Sequence, residues 1–153
     1  MTRPQSVCRL ISAFVYPAML VAATYHVDCS AGNDGAAGTS PATAWKSLEK
    51  VNEIVFRPGD RVLLRAGCRW TGVLAPKGSG ATANPIVLDR YGDGRKPLIR
   101  GEGAMAALLL KNVEHWEVSN LEITNRASAE GLRRGVLVMS DQPDGIVSHI
   151  HLR

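Results

Sequence analysis

The stretch Leu108-Leu109-Leu110-Lys111-Asn112-Val113-Glu114-His115-Trp116-Glu117-Val118-Ser119-Asn120-Leu121-Glu122-Ile123-Thr124-Asn125 decides the fold. Its apolar residues come in alternating pairs, Leu108/Leu110, Trp116/Val118 and Leu121/Ile123. Alternation is the period of a strand with one buried and one wet face. Between the pairs the parity breaks: Leu110 to Val113 and Val118 to Leu121 are steps of three, each across a corner that contains an asparagine. A straight strand cannot take an odd step without turning its buried face outward. A chain that bends at each corner can. Three short strands facing inward around a common axis make one coil of a parallel β-helix.

The pattern begins again after Gly135. Leu108/Leu110 matches Val136/Val138 at an offset of 28, and Val113 to Val118 matches Val147 to Leu152 at an offset of 34. The turn-rich insertion Asp141-Gln142-Pro143-Asp144-Gly145 accommodates the difference. Between the two coils, Arg126 to Arg134 forms a looped extension. Arg153 then corresponds to Ser119, and the second coil has no counterpart of Asn120 to Asn125. A solenoid needs several stacked coils and polar caps. The expectation is therefore the N-terminal part of a longer protein, ending inside a coil and not folding stably alone.

Upstream the same economy holds. Tyr25-His26-Val27-Asp28 reads as a strand, followed by a Gly, Ala, Ser and Asn-rich loop. Asn33-Asp34-Gly35 in that loop is turn chemistry. Its oxygens match no complete calcium loop. Ser47 to Val55 reads as a short helix, with Ser47 as N-cap, Glu49 in the first turn, and Leu48, Val51 and Val55 on one face with Trp45 upstream. Such a helix would plug the open end of a β-helix core. Arg61–Arg65, Trp70–Leu74, Pro85–Asp89 and Pro97–Arg100 are further short strands between turns. Gly101-Glu102-Gly103-Ala104-Met105-Ala106 fits a dinucleotide fingerprint, but alternation resumes where a long crossover helix would be needed.

The formal charge of +4 is mild, aromatics make up 5% and glycines number 15, which suits strands and turns. Basic residues are scattered, with no Lys/Arg cluster interleaved with aromatics, so nucleic acid is not the expected partner. Residues 1–23 have the order of a secretory signal: Arg3 and Arg9, an apolar run from Leu10 to Leu20, then Val21-Ala22-Ala23 before a cut. The run is short for a stable membrane span. Cleavage would remove two arginines and Cys8, leaving Cys29 and Cys68. In an exported chain that pair reads either as a disulfide or as two buried thiols.

Several segments carry a family likeness. Thr43-Ala44-Trp45-Lys46-Ser47-Leu48-Glu49-Lys50-Val51-Asn52 followed by Pro58-Gly59-Asp60 resembles the start of secreted bacterial right-handed parallel β-helix proteins of the pectate-lyase-like superfamily. Arg65-Ala66-Gly67-Cys68, Pro76 to Gly80, Pro85 to Leu88, Leu121 to Asn125 and Arg133-Arg134-Gly135-Val136 do so too. The resemblance implies an all-β, right-handed parallel β-helix (solenoid) with a short N-terminal capping helix, truncated after its first coils. The organisation expected is a signal peptide at 1–23, cap and first strands at 24–106, and the first clear coils at 107–153. Members cleave acidic or neutral polysaccharides by elimination or hydrolysis, and others only bind glycans. Their catalytic groups usually lie in middle coils. The likeness also admits calcium as a cofactor and a monomeric state at full length.

Side chains facing out from these coils are the candidates for chemistry. With Trp116/Val118 and Ile150/Leu152 inward, His115, Glu117, His149 and His151 face outward, His149 over His115 and His151 over Glu117. Strands about 4.8 Å apart would make them one polar patch, able to bind sugar hydroxyls, move protons or hold a metal, or else a solvated ladder. Arg133 and Arg134 suit uronic acid carboxylates as substrate ligands, or are solvated loop charges. Asn125 is expected to face inward at a corner and bond neighbouring backbone. No Gly-x-Ser-x-Gly, His-Glu-x-x-His or CxxC pattern is present. The expected function is an exported carbohydrate-active protein, a polysaccharide lyase or glycoside hydrolase at full length, with a non-catalytic glycan-binding or surface-attachment protein as the rival.

Overall fold

The computed structural model describes residues 21–128, 130–143 and 145–153. The body of the expected leader, residues 1–20, lies outside them. The described chain is nearly all β. Ten strands are present: β1 (Thr24–Val27), β2 (Arg61–Arg65), β3 (Arg69–Thr71), β4 (Ile86–Tyr91), β5 (Leu98–Arg100), β6 (Ala106–Lys111), β7 (Trp116–Val118), β8 (Glu122–Thr124), β9 (Arg134–Met139) and β10 (Ile150–Leu152). They form three sheets, ordered β1-β2-β4-β7-β10, β3-β5-β8 and β6-β9, and every strand pairing is parallel. From β4 the chain visits the first, second and third sheets in turn, twice over, and returns to the first at β10. One circuit earlier, an isolated parallel bridge of Leu74 to Leu108 takes the place of a strand on the third sheet.

Register follows from which side chains the core accepts. Leu108 pairs with Val136 and Leu110 with Val138, while Trp116 pairs with Ile150 and Val118 with Leu152. These are the two sequence offsets of 28 and 34. Along the first sheet Tyr25, Val62, Leu88, Val118 and Leu152 stack in one row. Trp70, Ile99 and Ile123 make the matching row of the second sheet. Trp116 is fully buried, packs edge-on against Phe56 at 6.0 Å, and donates its indole N–H to the Gly78 carbonyl at 2.9 Å. Tyr25 stacks on Trp45 at 4.8 Å and closes that end of the core.

The odd steps in the pattern are bends in the backbone. Asn112, His115 and Asn120 have φ of 56°, 55° and 58°, and His149 repeats the bend at 55°. A left-handed residue reverses the chain locally, and asparagine takes that conformation more readily than most side chains. Asn125 links corners along the stack: its Oδ1 accepts from Gly103 N at 2.8 Å, and its Nδ2 donates to the carbonyls of Ala104 (2.7 Å) and Arg134 (2.9 Å). The glycines of the dinucleotide-like run belong to this corner. A Cβ on Gly101 would lie 2.6 Å from Asn125 Oδ1, Gly103 has φ of 91°, and strand β6 follows instead of a helix.

Helix α1 (Leu48–Glu53) is shorter than the expected Ser47–Val55. Ser47 Oγ accepts from Lys50 N at 3.1 Å, and Leu48 and Val51 are buried. Val55 is a correction: it is 66% exposed. Ile54 is already extended (φ −81°, ψ 136°), so the helical period stops there and Phe56, 2% exposed, takes the core position. Cys29 and Cys68 are joined in a disulfide, with Cα atoms 5.7 Å apart. Among the described residues no helix is long and apolar enough to cross a membrane.

Candidate functional site

The outward face of the β3-β5-β8 sheet carries two hollows lined by charged and hydroxyl side chains. Its inward positions are Trp70, Ile99 and Ile123, so alternation sends 69, 71, 98, 100, 122 and 124 outward. Two outward rows result: Arg69, Leu98 and Glu122 in register, and Thr71, Arg100 and Thr124 in register. Arg126 continues the parity of Thr124 past the end of β8. Glu102, on the corner after β5 with φ of 49°, comes back to Arg100, its Oε1 2.7 Å from Arg100 Nη2.

These side chains enclose a depression of about 310 Å³ lined by Arg100, Glu102, Glu122, Thr124 and Arg126. Glu122 also lines a second hollow of about 100 Å³, which adds Arg69, Arg95 and Lys96. The two hollows meet at Glu122 and are together termed the groove. Arg95 and Lys96 are brought in by the turn before β5, where Arg95 O accepts from Gly67 N at 2.8 Å and Leu98 N donates to Cys68 O at 2.9 Å. The basic residues that look scattered in sequence thus converge here: positions 69, 95, 96, 100 and 126 line one surface. The sequence did contain a signal. Aligning Pro97-Leu98-Ile99-Arg100 with Leu121-Glu122-Ile123-Thr124, an offset of 24, yields the register of β5 and β8.

The sequence-derived candidates lie elsewhere. His115 and His149 sit at the corners preceding β7 and β10 rather than on the strands, and their imidazoles stack at 4.2 Å with planes 18° apart. His149 Nδ1 is 2.9 Å from Ser148 Oγ, which donates to Glu114 Oε1 at 2.6 Å. Glu117 and His151 are register neighbours on β7 and β10. All four belong to the first sheet or its corners, away from the groove. Arg134 opens β9, its N–H bonded to Met105 O at 3.1 Å and its carbonyl to Asn125. The Arg133 guanidinium lies beside the Gly103 turn. Neither arginine lines the groove.

Two places bring metal-type ligand atoms together. In the Asn33-Asp34-Gly35 turn, Asp34 Oδ1 accepts from the N–H groups of Lys46 (2.7 Å) and Ser47 (3.0 Å), and Asn33 Oδ1 from Gly35 N at 2.9 Å. Those oxygens are committed to shaping the loop and do not fit calcium. Asp28, Cys29 and Cys68 lie close together, but both sulfurs are spent in the disulfide. Asp28 itself is buried, which raises its pKa. Hydrogen bonds from the Ser30 hydroxyl, the Arg65 guanidinium and the N–H groups of Ser30 and Ala31 outweigh that and hold it well below the usual carboxylate range. This cluster is a structural clamp on the first turn.

No family model matches the chain. It is similar to a lacto-N-biosidase from Bifidobacterium longum subsp. longum, 38% identical over 130 residues, covering 67% of this chain and 8% of that enzyme. It is also similar to alpha-1,3-galactosidase A from Akkermansia muciniphila, 37% identical over 71 residues, covering 46% of this chain and 12% of the relative. Among solved structures, the GH136 lacto-N-biosidase from Eubacterium ramulus superimposes with a TM-score of 0.70 at 29% identity, over 74% of this chain and 23% of that one. The chain therefore spans a small part of each relative. The relatives are carbohydrate-active enzymes, and the activities they are named for are those of glycoside hydrolases; the lyase alternative gains no support.

Proposed function

We propose that this chain is a glycan-handling part of an exported glycoside hydrolase, built as a right-handed parallel β-helix of the pectate-lyase-like kind with α1 as its cap. The observation that carries the activity class is the joint likeness in sequence and fold to lacto-N-biosidases. The repeated visits to three parallel sheets support the β-helix, and crossovers between parallel strands are right-handed in about 98% of cases. Export is supported by the charged-apolar-small order of residues 1–23 and by the Cys29–Cys68 disulfide, since such bonds persist in oxidising compartments.

Within this reading the groove on the second sheet is the glycan contact. Its outward rows supply hydroxyls (Thr71, Thr124), a carboxylate acceptor (Glu122) and guanidinium donors, groups that pair with sugar hydroxyls. The test is titration of the whole chain against oligosaccharides that end in lacto-N-biose or in α-1,3-linked galactose, with sugar release followed in parallel. Binding of at least one, weakened by Glu122→Gln, is expected. A chain that binds none of the panel and releases no sugar would defeat the proposal.

A further inference from the structure

The groove differs from a generic sugar-binding face in its charge. Five cations line it, Arg69, Arg95, Lys96, Arg100 and Arg126, against two carboxylates, Glu102 and Glu122. The chain as a whole carries 18 basic and 14 acidic residues, so this one surface holds an excess comparable to that of the entire molecule. Among the described residues the ion pairs within 4.0 Å are Lys50–Glu53, Arg65–Asp28, Arg100–Glu102 and Lys111–Asp141. Arg100 is thus neutralised by Glu102, while Arg69, Arg95, Lys96 and Arg126 face the groove without an ion-pair partner among them. The six outward strand positions are Arg, Thr, Leu, Arg, Glu and Thr. The face offers charge and hydroxyls in place of an aromatic ring for a sugar to stack on.

We infer that this groove binds a glycan segment bearing oxyanions, a sulfate ester or a uronate carboxylate, held between Arg69, Arg95 and Lys96 at one end and Arg126 at the other. The inference rests on the glycan reading above and adds the ligand's charge to it. Guanidinium groups take sulfate and carboxylate oxygens through paired N–H donors, and lysine adds a point charge. Lys96 lies two residues before β5, whereas Arg126 lies two past Thr124, the register neighbour of Arg100 at the other end of β5. The two ends therefore act as separate anion sites on a ligand that reaches both. Glu122, shared by both hollows, sits between them. A carboxylate there repels a ligand that is uniformly anionic and accepts hydrogen bonds from one that presents hydroxyls between its anions. A sugar chain has that alternation, and a nucleic acid backbone does not.

The experiment is titration of the whole chain at low and physiological salt with four probes: a sulfated oligosaccharide, an oligosaccharide in which uronates alternate with neutral sugars, a neutral oligosaccharide of equal length and a DNA duplex. The sulfated probe, the uronate probe or both should bind at least tenfold more tightly than the neutral one and lose affinity with salt; which of the two binds identifies the oxyanion. Lys96→Ala and Arg126→Ala should each weaken that binding by about fivefold, the size expected for one exposed charge contact. Glu122→Gln should strengthen DNA binding relative to the wild type. Circular dichroism on each variant checks that the fold is kept. Equal affinity for neutral and anionic probes, anionic binding untouched by both cation substitutions, or DNA bound as well as the anionic sugars through the same residues would each overturn the inference. Neutral-glycan binding with no anionic preference would overturn it while leaving the hydrolase reading intact.

Discussion

Removing the Cys29–Cys68 disulfide is the most informative perturbation of the scaffold. The bond joins residues 39 apart in sequence, and the loop it closes contains α1 and β2. In the chain-entropy description, a crosslink closing a loop of that length lowers the entropy of the unfolded chain by about 13 cal/mol/K, or about 3.9 kcal/mol at 25 °C. A Cys29→Ala/Cys68→Ala double variant should lose roughly that amount, offset little by repacking because alanine is smaller than the half-cystine it replaces. For a domain of this size the loss corresponds to a fall in Tm of about 8–16 °C. The assay is urea unfolding of both proteins, followed by tryptophan fluorescence. Trp45, Trp70 and Trp116 are all buried, and Trp45 lies within the closed loop. An equal m-value with a lower midpoint would place the effect in stability alone. A loss under about 1 kcal/mol would refute the reasoning, because the loop would then be held as firmly by the packing of Trp45, Leu48, Val51 and Phe56 as by the bond.

Asp28→Asn tests the clamp beside that bond. The folded-state pKa of Asp28 is lowered, so its contribution is fully present above the unfolded value of about 4 and is lost as pH falls through the folded value. The variant should be less stable by about 2–4 kcal/mol at neutral pH, and the gap to wild type in urea midpoints should narrow steadily as pH is lowered from about 4 to about 2; a gap constant with pH would sink the assignment. Two glycines with similar backbone separate strain from crowding. Gly67 has φ of 79° and open space where a Cβ would go, whereas Gly78 has φ of 94° and a Cβ there would lie 2.1 Å from Phe56 O. Gly67→Ala should cost about 1–2 kcal/mol and Gly78→Ala clearly more, by thermal melts; equal costs would show that the contact at Phe56 relaxes.

Much of this fold is legible in the sequence, because its inward side chains obey a period the eye can follow. Leu108/Leu110 and Trp116/Val118 alternate, and their partners one circuit later recur at the offsets that the strand pairing uses. The asparagines at the parity breaks mark bends, and Asn112 and Asn120 take the left-handed conformation there. Other features hide for physical reasons. The histidines at 115 and 149 occupy the same kind of bend as these asparagines, and nothing in residue type distinguishes a histidine that turns the chain from one that lies on a strand. Val55 continues the helical spacing of Leu48 and Val51, but the helix ends at Glu53: Ile54 is extended, Val55 bridges Lys77 in parallel on the exposed side, and Phe56 is the residue that enters the core.

The groove is the clearest case of information that sequence holds but does not display. Its cations come from three circuits, and successive circuits differ in length: Val62 to Leu88 spans 26 residues, Leu88 to Val118 spans 30, and Trp70 to Ile99 to Ile123 spans 29 and then 24. With no fixed period, residues at 69, 95, 100 and 126 fall into place only once each strand's register is known. The variation in length is absorbed at the corners, where Gly92 and Gly94 turn the chain before β5 and Glu102 turns it after. Inward positions are held by the core, and corner residues by the backbone conformations the bends require. The outward rows are constrained by neither, so the ligand a given stretch of the face can hold is set by side chains such as Arg69, Glu122 and Arg126 that contribute little to holding the sheets together.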